Sequence, residues 1–191
     1  NSAADPGLVY DSNIIDHLAF LCGGGLLNPT GSTCNAVGFL PAWNLNLASL
    51  TSEVVGYQTI WRTVTNVGNT TSTYNASLSM PGFTTQVSPS SLTLAPGESG
   101  SFQLQALRTT APIGAWAFGN LEWSNGSKTV RSPVTLKPLS ISVQSLVEDN
   151  RVRANKSLTM LTGYDGTMSA TSTGLVPASR TPSTVLLGES N

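Results

Sequence analysis

The sequence predicts an all-β protein: an antiparallel β-sandwich led by a short helix and followed by a partial β extension. Three observations predict it. From about residue 44 onward apolar residues recur at every second position, the period of strands with one face buried. Short turn signals punctuate these runs at Gly68-Asn69, Met80-Pro81-Gly82, Ala95-Pro96-Gly97 and Asn125-Gly126, and roughly six or seven strands at such spacing argue for a sandwich. Charged residues are 10 % of the 191 residues, against about 25 % in an average soluble protein. Ser, Thr, Asn and Gly must therefore cover the surface, which suits an extracellular β module.

Residues 5–22, DPGLVYDSNIIDHLAFLC, read as a turn and then a helix. Asp5-Pro6-Gly7 has turn chemistry. Asn13 can cap the helix, with Asp16 in its first turn. Ile14, Leu18, Leu21 and Cys22 fall at i, i+4, i+7 and i+8, one apolar face. The glycine-rich loop that follows ends at Cys34. The spacing of Cys22 and Cys34 fits no zinc motif, and one His exists to help them. A disulfide is the better reading over two free thiols; closing that loop stabilises by roughly 2–3 kcal/mol in the chain-entropy model and implies an oxidising compartment.

Next come the strands. Trp61 to Val67 reads as one, Gly68 to Thr71 as a turn, and Ser72 to Met80 as its partner, with Tyr74, Ala76, Leu78 and Met80 on one face. Phe102, Leu104 and Ala106 alternate with Ser101, Gln103 and Gln105, and Val130, Val134 and Leu136 oppose Arg131 and Thr135. Asn125-Gly126 is the strongest short-range hairpin signal. In AWAFGNLEW, Trp116 and Phe118 have one parity and Leu121 and Trp123 the other. A β-bulge at Gly119 or Asn120 would bring Trp116, Phe118, Leu121 and Trp123 together in the core. A regular strand would instead leave aromatics on two faces, which favours a glycan-binding surface. After Pro138 alternation weakens: Leu139, Ile141 and Val143 suggest one strand, Leu158 and Met160 another. The organisation expected is a helix and disulfide loop at 1–43, a sandwich at 44–138, and the start of a further β module at 139–191.

Function classes narrow quickly. Nine basic against ten acidic residues, without a basic patch, argue against nucleic acid. The longest apolar stretch, Leu18 to Leu27, is broken by three glycines and too short to span a bilayer. The opening NSAADPG carries no signal-peptide pattern and reads as the interior of something longer. A Ser-His-Asp site needs a base, and His17, beside Asp16 and off the apolar helix face, reads as a solvated residue. GESGS, Gly97 to Ser101, has glycine-flanked serines, yet a hairpin turn explains each residue. Glu53, Glu98, Glu122 and Glu148 are scattered, without the pairing glycosidase chemistry needs. GYDGT, Gly163 to Thr167, lacks a calcium loop's ligand ladder. No catalytic, cofactor-binding or metal residue is assigned. Asn69, Asn75, Asn125 and Asn155 head N-x-Ser/Thr sequons. Trp43, Trp61, Trp116 and Trp123 can make a sugar-stacking platform, though aromatics on sandwich strands are more often core.

Several stretches, in order, carry a resemblance: DPGLVYD (Asp5–Asp11), FLC (Phe20–Cys22), RTVTNVGN (Arg62–Asn69), VSPSSLTLAPGES (Val87–Ser99), AFGNLEWSNG (Ala117–Gly126) and TVRSPV (Thr129–Val134). Over about residues 5 to 137 the chain resembles the C-terminal, fibronectin type III-like region of plant and bacterial subtilisin-like serine proteases. TSTGLVPA (Thr171–Ala178) is similar to a further extension of bacterial members. The resemblance implies a secreted serine endopeptidase as parent, a fibronectin III-like sandwich here, and the protease domain of the same parent chain as partner, with the helix and Cys22–Cys34 loop at 1–43 as the docking segment. None of the family's catalytic motifs is present: no GTS serine, no HGT histidine, no DTG aspartate. The expected role is therefore a non-catalytic, secreted accessory domain, with no cofactor, nucleic acid or membrane partner. The alternative is a free-standing adhesion or glycan-binding sandwich, for which a weak glycan or protein contact is the remaining partner class.

Overall fold

A computed structural model describes residues 5–143, 157, 159–163, 167 and 169. The described chain is a two-sheet β-sandwich with a helical segment against one sheet. In order it runs β1 (Leu8–Tyr10), α1 (Ile14–Gly23), α2 (Ser32–Val37), a 3-10 turn (Ala42–Asn44), β2 (Leu50–Val54), β3 (Tyr57–Asn66), β4 (Ser72–Ser79), β5 (Phe83–Ser88), β6 (Ser91–Leu94), β7 (Ser99–Arg108), β8 (Ala117–Ser124), β9 (Thr129–Pro138), β10 (Ile141–Val143) and β11 (Met160–Thr162). One sheet has the order β1-β3-β7-β5, the other β2-β9-β8-β4-β6, and β10-β11 form a separate antiparallel ribbon. All pairings are antiparallel except β2 with β9.

The helix starts where its cap chemistry places it. Asn13 Oδ1 accepts from the backbone N–H groups of Ile15 (2.8 Å) and Asp16 (3.2 Å), and Asp16 returns a carboxylate oxygen to Asn13 N–H at 2.9 Å. This reciprocal arrangement satisfies three N–H groups that a helix start leaves open. The apolar spacing of α1 holds in part: of its four positions Cys22 is buried, Leu18 and Leu21 are half-buried, and Ile14 is exposed. Ala19 and Cys22 are buried while Ile14 and Ile15 are exposed. Returning chain packs beside Ala19 and Gly23: Leu40 N–H donates to the Ala19 carbonyl at 2.9 Å, and a Cβ on Gly23 would run into the Leu40 carbonyl. Cys22 and Cys34 are bonded, tying α1 to α2.

The inner faces of both sheets make one core. Ile60 and Val64 of β3 and Phe102, Leu104 and Ala106 of β7 meet Tyr74 of β4, Leu121 and Trp123 of β8, and Val134 and Leu136 of β9. Phe102 and Trp123 pack edge to face with ring centroids 5.1 Å apart, a favoured aromatic geometry. The segment before residue 44 also enters this core, because β1 pairs with β3 and its Leu8 is buried.

Two sequence expectations are corrected here. First, Ser72–Met80 is not the partner of Trp61–Val67. β3 pairs with β1 and β7, whereas β4 lies in the other sheet beside β8 and β6. Asn66 causes the crossing: buried at the end of β3, it donates through Nδ2 to the carbonyls of Thr70 (3.0 Å) and Leu94 (2.9 Å) and accepts from Gly68 N–H at 2.9 Å. These bonds fix an arch between sheets where a hairpin would have kept one. Second, Gly119 carries no bulge. β8 pairs residue by residue with β9 from Ala117–Leu136 to Ser124–Thr129. Leu121 and Trp123 are buried, but Trp116 is 47 % and Phe118 69 % exposed, so these two are not core. Gly119 points inward, where a Cβ would strike the Ser79 carbonyl and the sulfur of Met80. The glycine makes room for Met80, and the strand keeps its regular phase.

Candidate functional site

The catalytic candidates fall away on geometry. His17 Nε2 lies 3.3 Å from Ser12 Oγ, but both are on the surface, and among the described residues no carboxylate binds the ring. Asp16 is occupied by the Asn13 cap. In GESGS the serines are ladder partners: Ser99 and Ser101 hydroxyls meet those of Thr65 and Thr63, each at 2.8 Å. Glu98 closes the turn by accepting from Ala95 N–H at 2.7 Å. Glu53 and Glu122 pair with Lys137 (3.4 Å) and Arg131 (2.7 Å) across the strands. Among the described residues no group of three His, Cys, Asp or Glu side chains is placed to hold a metal ion. Glu148, Asn155, Leu158 and residues 164–166 of GYDGT lie outside the described residues, as does TSTGLVPA. No described helix is long and apolar enough to cross a membrane.

What the fold does present is a cleft of about 350 Å³ between the helical segment and the outer face of the β1-β3-β7-β5 sheet, lined among others by Asp11, Asp16, Asn44, Trp61, Thr63 and Ser101. Its walls are fixed. Asn46 donates to the carbonyls of Asp11 (2.6 Å) and Thr63 (2.9 Å) and accepts from Thr63 N–H (2.8 Å). Asn44 accepts from Trp61 N–H at 3.0 Å. Arg62, buried beneath, donates to the carbonyls of Trp43, Leu47, Ser49 and Trp61 at 2.7–2.9 Å. Burial lowers its pKa to about 10, against the smaller opposing pull of Tyr10. Tyr10 has its phenol pushed up by burial; its hydroxyl meets Ser132 Oγ at 2.7 Å, across the sandwich.

The four tryptophans do not make one platform. Trp123 is core, Trp61 opens onto the cleft side, and Trp116 lies on the opposite sheet with Lys137 Nζ 5.6 Å from its ring centroid. Sequence reasoning singled out Trp61 but not Tyr57, Asp11 or Asn44. A usable signal was present in β3: Tyr57, Thr59, Trp61, Thr63 and Thr65 share one parity, and Ile60, Arg62 and Val64 the other.

Against known proteins, residues 44–136, about half of the chain, match the fibronectin type-III domain family. A subtilisin-like protease of Glycine max is 38 % identical over 146 residues, covering 71 % of this chain and 18 % of its own length. One from Arabidopsis thaliana is 35 % identical, covering 70 % of this chain and 17 % of its own length. A subtilisin-like serine-protease of Lotus japonicus is 35 % identical, covering 73 % and 20 %. The chain thus spans about a fifth of each of these relatives, and the similarity runs beyond residues 44–136.

Proposed function

From a chain whose residues 44–136 belong to the fibronectin type-III domain family and whose relatives include subtilisin-like proteases, we propose a non-catalytic accessory role: the C-terminal region of a secreted subtilisin-like serine endopeptidase, supporting the folding, stability or substrate access of its protease domain. The observation that carries this reading is the helical segment. Its disulfide and caps hold a small rigid unit that nonetheless exposes Ile14, Ile15, Leu26 and Phe39. Large aliphatic and aromatic side chains exposed on one short segment fit a protein contact. The rest of the parent chain is the occupant this supports, because relatives that share this region are several times longer. β1 fastens the same segment to the sandwich, so a load on the helices is transmitted to a rigid sheet. The disulfide supports an oxidising, extracytoplasmic setting.

The test is co-expression of the parent's protease domain with this 191-residue chain, as wild type and as the Ile15→Asp, Phe39→Asp double variant. The expected result is co-purification with the wild type and at least tenfold less with the variant, while a serine-directed active-site probe labels the protease domain and leaves this chain unlabelled. A protease domain that folds and cleaves equally well without the chain, and never associates with it, overturns the reading.

A further inference from the structure

The outer face of the β1-β3-β7-β5 sheet has a chemistry that the accessory role does not use. Tyr57 and Trp61 stand on it, 51 % and 52 % exposed. They are four residues apart on one strand, roughly 13 Å at about 3.3 Å per residue. Between and beside them the register sets Gln105 against Thr59, Gln103 against Trp61 and Ser101 against Thr63, with Gln86 of β5 beyond Gln105. Along β5, β7 and β3 the outward positions carry no charge. Hydroxyl pairs across the ladder tie Thr63 to Ser101 and Thr65 to Ser99, each at 2.8 Å. At the Trp61 end this face runs into the cleft of about 350 Å³, where the Asp11 and Asp16 carboxylates and the Asn44 amide line the opposite wall. That is within the size range of small-ligand sites, which pair an aromatic surface with a few placed polar groups.

We propose that this face binds an uncharged polysaccharide. A sugar ring is apolar across its C–H face and ringed by hydroxyls. The Trp61 indole offers a plane to stack that face on. Asp11 has an exposed carboxylate to accept from hydroxyl donors, and the glutamine and threonine rows can both donate and accept. Tyr57 then meets a second ring of the same extended chain. The class of ligand follows from charge. No outward position of the face carries a cation. The cleft sets the Asp11 and Asp16 side chains against one guanidinium, that of Arg62, which is 4 % exposed and already engaged by four carbonyls, so an acidic polymer is disfavoured and a neutral one is not. Around Tyr57, Trp61 and Leu107 the outward positions are serine, threonine and glutamine, a polar surround that suits hydroxyl-rich ligands; protein interfaces also favour Tyr and Trp, so a protein contact is an outcome of the test. The exposed aliphatic side chains of α1 and its loop, Ile14, Ile15 and Leu26, lie elsewhere on the chain. The inference stands independently of the accessory reading.

The experiment is a depletion assay of the intact, oxidised 191-residue chain on insoluble cellulose, chitin, xylan, mannan and β-1,3-glucan, with de-esterified pectin as the acidic polymer. Retention is expected on at least one neutral polymer. Trp61→Ala should weaken it at least tenfold, Tyr57→Ala and Asp11→Asn severalfold, and Trp116→Ala, on the opposite sheet, not at all. Ser101→Arg fills the cleft from an exposed position and should abolish retention without disturbing the core, which keeps the test decisive if Trp61→Ala misfolds. The proposal falls if no neutral polymer retains the chain, if only the acidic one does, or if Ser101→Arg binds like wild type. It also falls if Trp61→Ala leaves retention intact and instead releases the protease domain, which would make the face a protein contact.

Discussion

Replacing Arg62 with methionine should be among the most damaging single changes in the sandwich. Arg62 is 4 % exposed, and among the described residues no carboxylate pairs with it. Its charge is held by four carbonyl oxygens, three of them (Trp43, Leu47 and Ser49) on the segment that leads from the helices into β2. Bonds to a charged donor contribute about 1.5–3 kcal/mol each. Four of them cannot simply be added, because methionine also removes the cost of burying a guanidinium. What remains is several backbone acceptors left without donors in a buried setting. A buried acceptor left without its donor costs about 1–3 kcal/mol, so a net loss of at least about 2 kcal/mol is expected, out of a total stability of about 5–15 kcal/mol for a domain.

Arg62→Lys separates charge from geometry. An ammonium keeps the positive charge but lacks the planar fork that reaches acceptors on several sides, so a loss of about 2 kcal/mol is expected. Urea unfolding of the oxidised chain, followed by tryptophan fluorescence, gives both values, and amide exchange at residues 47–49 should accelerate in each variant. A loss below about 1 kcal/mol for Arg62→Met, or a lysine variant less stable than the methionine one, would refute the reasoning.

Three further outcomes follow from the packing. Gly119→Val should destabilise by at least about 1–3 kcal/mol, because the new side chain meets the Ser79 carbonyl in a paired strand and the buried Met80; a urea midpoint matching wild type would restore the bulge. Replacing Cys22 and Cys34 together by serine should cost about 2–3 kcal/mol and accelerate amide exchange over residues 14–37 while leaving β7 protected; equal deprotection of β7 would show that the helical segment is no separate unit. Tyr10, with its folded pKa raised above 10 by burial, should titrate later than an exposed tyrosine in absorbance at 295 nm. Its ionisation opposes folding, so its contribution is intact below pH 10 and is lost as pH rises toward the folded pKa; Tyr10→Phe should remove the late-titrating component, and an unchanged titration curve would disprove the assignment.

The strands were legible because each buries one face, and period two survives whatever the partners are. Tyr74, Phe102, Leu104, Val134 and Leu136 all sit where alternation puts them. The Asn125-Gly126 turn was legible for a local reason as well: Asn125 Oδ1 accepts from the N–H groups of Ser127 (3.1 Å) and Lys128 (2.8 Å) within the turn itself, and β8 and β9 pair on either side. Partner choice was not legible. Gly68-Asn69 says that the chain reverses, and only the bonds from Asn66 to Thr70 and to Leu94, a residue 28 positions away, decide that it changes sheet.

The bulge expected at Gly119 assumes that the large aromatics of a sandwich strand face inward, and Tyr57 enters no sequence expectation at all. Parity alone decides each case. Trp116 and Phe118 are out of phase with Leu121 and Trp123, and Tyr57 and Trp61 are out of phase with Ile60 and Val64. Following parity strictly would have placed Arg62 inside, a choice that looks costly until the carbonyls of residues 43–49 are in view. A buried arginine that needs that segment, and an exposed tryptophan one residue before it, are thus two sides of one strand. The same carbonyl clamp that makes Arg62 tolerable in the core also sets Asn44 and Asn46 against Trp61 and Thr63, so the cleft depends on it. Arg62→Met should therefore weaken polysaccharide retention at urea concentrations where the sandwich is still folded, and retention unchanged there would uncouple the cleft from the clamp.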